Sequence, residues 1–139
     1  MRLIVDTNFI VRVARRNDDP AEANIARELL EAATVVAVPT LTLCEFDWVM
    51  RKHYKRPRAE VLASMRAIVA GPNVVVERDA VAVGFAFFEA GGDFADGIIA
   101  YDGRRLGGDV FASFDRKANL LARKQGFDIL PAPKSPFAG

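Results

Sequence analysis

Five acidic side chains are placed where they could do chemistry together: Asp6, Glu45, Asp93, Asp96 and Asp115. Asp6 ends the apolar run Leu3-Ile4-Val5, and Asp115 follows the run Val110-Phe111-Ala112 after Ser113-Phe114. Asp93 and Asp96 open a segment behind the Gly91-Gly92 break, and Glu45 lies early in a segment that follows Thr34–Val38. Carboxylates a few ångströms apart cannot all stay ionised without help. A divalent cation removes the repulsion, and oxygen-only ligation favours a hard ion, Mg²⁺ or Mn²⁺. Such an ion can polarise a phosphodiester and activate water. The single histidine, His53, leaves no pair for metal-free acid–base cleavage, and with the single cysteine, Cys44, no cluster for zinc. The chemistry expected is therefore metal-assisted hydrolysis of a phosphodiester that leaves a 5′-phosphate and a 3′-hydroxyl.

Each acid also has a plainer role. Asp6 and Asp115 suit turns or helix caps, Asp93 suits an N-cap, and Asp96 suits the positive end of a helix dipole. Glu45 is harder to assign in this way. It sits among Leu41, Leu43, Cys44, Phe46 and Trp48, where a buried carboxylate is costly without a partner. Asp47 is expected on the other side of that helix.

The elements that must position these residues alternate in type. Short apolar strands are predicted at Arg2–Val5, Thr34–Val38, Asn73–Val76, Asp109–Ala112 and Phe127–Leu130. Amphipathic helices fall between them. They carry Phe9–Ala14, a stretch opened by Asp18-Asp19-Pro20, a stretch capped by Thr40 or Thr42, one started by Pro57, one capped by Asp79, one running from Asp93 to Leu106, and Asp115–Gln125 closed by Gly126. This alternation predicts an α/β fold, a parallel sheet of about four to five strands flanked by helices on both faces. Sites in such folds form beyond the carboxyl ends of the strands, where the acids are expected.

The chain of 139 residues fits one domain over 1–130, and 131–139, rich in proline and small residues, is expected to be a flexible tail. Half of the residues, 51%, are hydrophobic, enough for a core. No apolar run approaches the ~20 residues that span a bilayer, and the N-terminus reaches Asp6 too soon for a secretory signal. With one cysteine and no possible internal disulfide, a reducing cytoplasm is expected. Net charge is +1, from 19 basic and 18 acidic residues. If four carboxylates share one site, the other 14 acids against 19 bases leave +5 elsewhere, which suits an anionic polymer.

Four segments resemble the acidic motifs of PIN domains: Leu3-Ile4-Val5-Asp6-Thr7-Asn8, Thr42-Leu43-Cys44-Glu45-Phe46, Asp93-Phe94-Ala95-Asp96-Gly97-Ile98-Ile99-Ala100, and Phe111-Ala112-Ser113-Phe114-Asp115-Arg116-Lys117. Their order and spacing and the chain length are similar to VapC-type toxins of toxin–antitoxin pairs. The resemblance implies a single PIN-like domain, a Mg²⁺- or Mn²⁺-dependent endoribonuclease, a homodimer, and a small antitoxin partner that lays a helix or extended segment in an apolar groove and covers the acidic site. It also implies that Asp6, Glu45, Asp96 and Asp115 hold metal, with Asp93 as an extra ligand and Asn8 and Ser113 orienting carboxylates or a water. Two positions depart from the family pattern. Gly97 stands where alanine is usual, at a helix cost of ~1 kcal/mol, and Ser113 stands where threonine is common.

Arg104, Arg105, Arg116 and Lys117, which follow Asp96 and Asp115 in sequence, are the candidates for RNA phosphates. The run Arg51–Arg58 could also grip RNA, with Tyr54 stacking on a base, or could be a solvated helix end. His53 is expected at the surface, Cys44 in the interior, and Trp48 and Phe85-Phe87-Phe88 in the core. Because neighbours on a helix diverge, Phe87 or Phe88 is also a candidate for an interface. Two competing readings remain. One is phosphoryl transfer on an aspartate nucleophile, which expects a second aspartate where Asn8 stands. The other is a receiver-like or partner-binding domain that holds Mg²⁺ without nuclease activity, against which a buried Glu45 would count.

Overall fold

β1 (Arg2–Ile4), β2 (Val35–Ala37) and β3 (Val74–Val75) are, apart from Arg2, apolar runs rich in β-branched residues, the composition that suits a pleated surface. A computed structural model of the chain describes residues 1–130. The expected tail at 131–139 lies outside them. The three strands form a parallel sheet in the order β1-β2-β3, with Leu3 opposite Val36 and Val36 opposite Val74. Val36, on the central strand, is 2% exposed.

The chain divides into two compact units, 1–78 and 79 onward. The first holds this sheet with α1 (Thr7–Ala14), α2 (Pro20–Ala32), α3 (Thr40–Trp48) and α4 (Arg58–Val69). α2 starts as its sequence requires. Asp19 caps it by accepting from Glu22 N–H at 3.0 Å, and Pro20 takes the first helical position. Asn73 closes its other end by donating from Nδ2 to the carbonyls of Leu30 (2.7 Å) and Ala33 (2.9 Å). α3 does not use the expected cap. Its N-cap is Pro39, without a side-chain bond. The Thr42 hydroxyl instead donates to the Val5 carbonyl at 3.0 Å in the interior, fastening the first turn of α3 to the residue before Asp6.

α3 runs into a π-helical turn, Val49–His53, closed by Tyr54 N–H donating to the Val49 carbonyl at 3.1 Å. Asp47, 3% exposed, is the buried carboxylate of this region. Arg51 reaches it with two hydrogen bonds, 2.6 and 3.0 Å.

The second unit holds α5 (Arg78–Glu89), α6 (Phe94–Arg105), β4 (Val110–Phe111), α7 (Arg116–Lys124) and β5 (Asp128–Ile129). β4 and β5 pair in parallel as a two-stranded sheet. All five expected strands therefore exist, but in sheets of three and two rather than one, because β4 and β5 find their hydrogen bonds in each other. Phe87, Ala100, Leu121, Ala122 and Phe127 form the core of this unit. Asp79 sits in the first turn of α5 rather than capping it. Gly126, at φ +89°, allows the turn from α7 into β5.

α5 and α6 meet through glycines. A Cβ on Gly97 would stand 2.6 Å from the Val83 carbonyl oxygen and 2.7 Å from Gly84 Cα. A Cβ on Gly84 would stand 2.6 Å from the Phe94 ring. Gly97 is thus required by contact between two backbones, a reason that helix propensity does not contain.

Three side-chain expectations are corrected. Phe85, Phe87 and Phe88 are all buried, at 7%, 0% and 3% exposure, so none is offered to an interface. Trp48 is 61% exposed, because α3 turns Leu43, Phe46 and Asp47 inward instead. Cys44 is only half-buried.

Candidate metal centre

In the first unit, Asp6 is the N-cap of α1, and its Oδ1 accepts from Phe9 N–H at 2.9 Å. Thr7 follows it directly, and the Thr7 hydroxyl donates to Glu45 Oε2 at 2.8 Å. One residue thus links the segment that carries Asp6 to the carboxylate on α3. Glu45 itself is exposed, and the buried acid is Asp47, so the expectation of a buried Glu45 is overturned. The cause is the helical turn of α3, which buries positions 42, 43, 46 and 47. Glu45 therefore does not count against a non-enzymatic domain by burial. Asn8 is exposed on the first turn of α1.

In the second unit, Asp96 is half-buried in the first turn of α6. Burial chiefly, and then the charges of Asp93 and Asp115, raise its carboxyl pKa from its ordinary value. Asp93 is the N-cap of α6, without a side-chain cap bond. Asp115 caps α7, and its Oδ1 accepts from Lys117 N–H (2.9 Å) and Ala118 N–H (3.1 Å). The Ser113 hydroxyl accepts from Asp115 N–H at 2.9 Å. Asn119 Nδ2 donates to the Ser113 carbonyl at 2.8 Å, so Ser113 is tied both to Asp115 and to α7.

Of the proposed phosphate-binding cations, Arg116 and Lys117 are exposed beside Asp115 in α7. Arg104 is engaged elsewhere. Its guanidinium lies 3.8 Å from the Phe127 ring centroid and donates to the Gly126 carbonyl at 3.2 Å. Arg105 stands 4.0 Å from Asp102. Thr7 and Asn119 are not foreseen from the sequence. The position of Thr7 beside Asp6 is the only signal for it, and Asn119 gives none.

Among the described residues, no three Asp, Glu, His or Cys side chains are grouped closely enough to enclose an ion. The donor chemistry nonetheless fits a hard divalent cation: each unit offers carboxylate oxygens, and in the second they repel one another.

The chain matches the PIN domain over residues 3–124. It belongs to the PIN domain family. PIN domains are α/β folds and are generally metal-dependent nucleases that act on RNA or DNA, and they typically bind divalent metals. Comparison with curated proteins found no match. No helix among the described residues is long and apolar enough to cross a membrane.

Proposed function

We propose that this PIN domain is a Mg²⁺- or Mn²⁺-dependent endoribonuclease and the toxin half of a toxin–antitoxin pair. The observation that carries the nuclease reading is the match to the PIN domain over residues 3–124, and the surroundings of Asp96 agree with it. A half-buried carboxylate, pressed by Asp93 and Asp115, is held at a cost that a bound cation would offset. Asp6, Glu45, Asp96 and Asp115 are the proposed ligands, with Asp93 as an addition. Held by these carboxylates, a divalent ion would supply Lewis acidity for hydrolysis of a phosphodiester. The protein's own part is positional. Thr7 holds Glu45, the Ser113 hydroxyl holds the Asp115 N–H, Asn119 holds the Ser113 carbonyl, and the cap bond to Phe9 orients Asp6. Arg116 and Lys117 would neutralise phosphates on either side of the cut.

The toxin role draws on an apolar groove of about 670 Å³ in the first unit, lined by Ile10, Val13, Leu30, Val36, Ile68 and Val74. An amphipathic segment of a small antitoxin would bury its apolar side there. Exposed Leu41 and Trp48, with Cys44 between them on one face of α3, are the proposed contact of a homodimer.

The test is cleavage of a mixed RNA pool with Mg²⁺, Mn²⁺ or EDTA by wild type, Asp6→Asn and Asp115→Asn. Metal-dependent cleavage confined to wild type, leaving 5′-phosphates, is expected. A 2′,3′-cyclic phosphate product, or equal activity in EDTA, refutes the mechanism. Cleavage of single-stranded DNA in place of RNA refutes the ribonuclease assignment alone.

A further inference from the structure

A polar groove beside Asp6 is left unused by the mechanism above. Asn8 and Arg12 on α1, and Arg15 at its C-cap, follow one another at steps of four and three residues and so lie toward one side of the helix. They line a cavity of about 340 Å³ in the first unit, which Asp6, Glu22 and Tyr54 also line. Tyr54 is delivered by the π-helical turn and is held in place. The Arg15 guanidinium lies 3.8 Å from its ring centroid, and the His53 ring meets it edge-on at 4.6 Å. Arg15 is fixed in turn by Asp18, which accepts from Nε at 2.7 Å and from Nη2 at 3.2 Å.

Arg12 is the unfinished member. Its Nε is buried and has no hydrogen-bond acceptor. The nearest carboxylate oxygen, Glu22 Oε1, stands 3.5 Å away. A buried N–H without an acceptor is costly, and an acceptor on a ligand in the groove would satisfy it.

The charges decide what kind of ligand. Arg12 and Arg15 are matched by Glu22 and Asp18, and Asp6 adds a further negative charge. The groove is not a phosphate site. It offers guanidinium donors, carboxylate acceptors and an aromatic–guanidinium layer, which suit a neutral, flat heterocycle. Its volume is at the small end of ligand-sized pockets (~300–1,000 Å³), enough for one base and not for a duplex. Arg12 is six residues from Asp6, roughly 9 Å along a helix, within reach of a nucleotide whose phosphate lies at Asp6.

We propose that this groove takes one unpaired RNA base beside the phosphate that is cut, resting on the nuclease reading above. The base lies against the Tyr54–Arg15 layer, Arg12 Nε–H donates to a ring acceptor, and Glu22 accepts from the base edge. Guanine makes fullest use of such a wall, since it presents O6 and N7 as acceptors for an arginine and amino and imino N–H groups for a carboxylate. The groove therefore selects guanine.

Two measurements on the full chain test this. The Arg12 Nε–H resonance is followed by NMR in EDTA while GMP, AMP, CMP or UMP is added. GMP is expected to shift it at the lowest concentration, and Glu22→Gln and Tyr54→Leu are expected to weaken GMP roughly tenfold, as loss of a good base contact does. Cleavage sites are then mapped on a random RNA pool with Mg²⁺. Wild type is expected to cut beside guanine, and Glu22→Gln to lose that preference about tenfold. An Arg12 resonance that no nucleotide moves, or a base preference that Glu22→Gln leaves intact, overturns the proposal. GMP binding through Arg12 in a protein that cuts no RNA sinks the nuclease reading while keeping the groove as a nucleobase site.

Discussion

Replacing Gly97 with alanine should destabilise this protein, although Gly97 lies inside a helix. Helix propensity alone gives the opposite sign, since alanine is favoured over glycine by ~1 kcal/mol in a helix interior. Contact between α5 and α6 outweighs that preference. The added Cβ would stand 2.7 Å from Gly84 Cα and 2.6 Å from the Val83 carbonyl oxygen. The first distance is roughly 0.8 Å short of a comfortable carbon separation of ~3.5 Å. Both obstacles are backbone, so no rotamer change relieves them and α5 must move from α6. Overpacking costs ~1–3 kcal/mol. With backbone on both sides the upper end applies, and subtracting the propensity gain leaves about 2 kcal/mol of net destabilisation. Thermal unfolding should fall by roughly 4–8 °C. Gly103 is the control. It lies on the same helix with nothing within 4 Å of its Cβ position, so Gly103→Ala should raise stability by about 0.5–1 kcal/mol. Urea and thermal unfolding of the two variants give the comparison. A Gly97→Ala protein as stable as wild type would refute the claim that the α5–α6 approach requires glycine.

Asp96→Asn should abolish metal-dependent cleavage yet stabilise the metal-free protein. Because the Asp96 pKa is raised in the folded state, the native protein holds this proton more tightly, and stability falls as pH rises from the ordinary carboxylate range through the raised value. Unfolding midpoints across mildly acidic pH should show that slope in wild type and lose it in Asp96→Asn; an unchanged slope would exclude Asp96 as its source. Arg51→Met should cost about 3–5 kcal/mol, because it strands the buried Asp47 carboxylate, and the double variant with Asp47→Leu should recover most of the loss. A single variant that unfolds like wild type in urea would contradict that pairing. Thr7→Val should leave stability within ~1 kcal/mol but weaken Mn²⁺ binding and cleavage by about 10–100-fold, with Thr7→Ser restoring both; titration calorimetry with unaltered affinity would remove Thr7 from the positioning role.

The sequence determined what depends on local pattern. Short β-branched runs next to amphipathic helices set the α/β class and the parallel pairing. Asp6, Asp19 and Asp115 cap helices because an aspartate ahead of a helical run meets free N–H groups wherever the chain goes afterwards. Positions that depend on distant partners could not be read this way. The order of burial along α3 was one: Glu45 and Asp47 lie in the same apolar stretch, and the helix phase fixed by the Thr42 bond to Val5 put Asp47 inside and Glu45 out. Gly97 was another, since its reason is a backbone on α5 thirteen residues earlier. Arg12, Arg15 and Tyr54 form a groove only because a π-helical turn delivers Tyr54 to a helix about forty residues before it. Sequence spacing records which face of a helix a residue occupies, but not what that face meets, and here tertiary packing decided the latter.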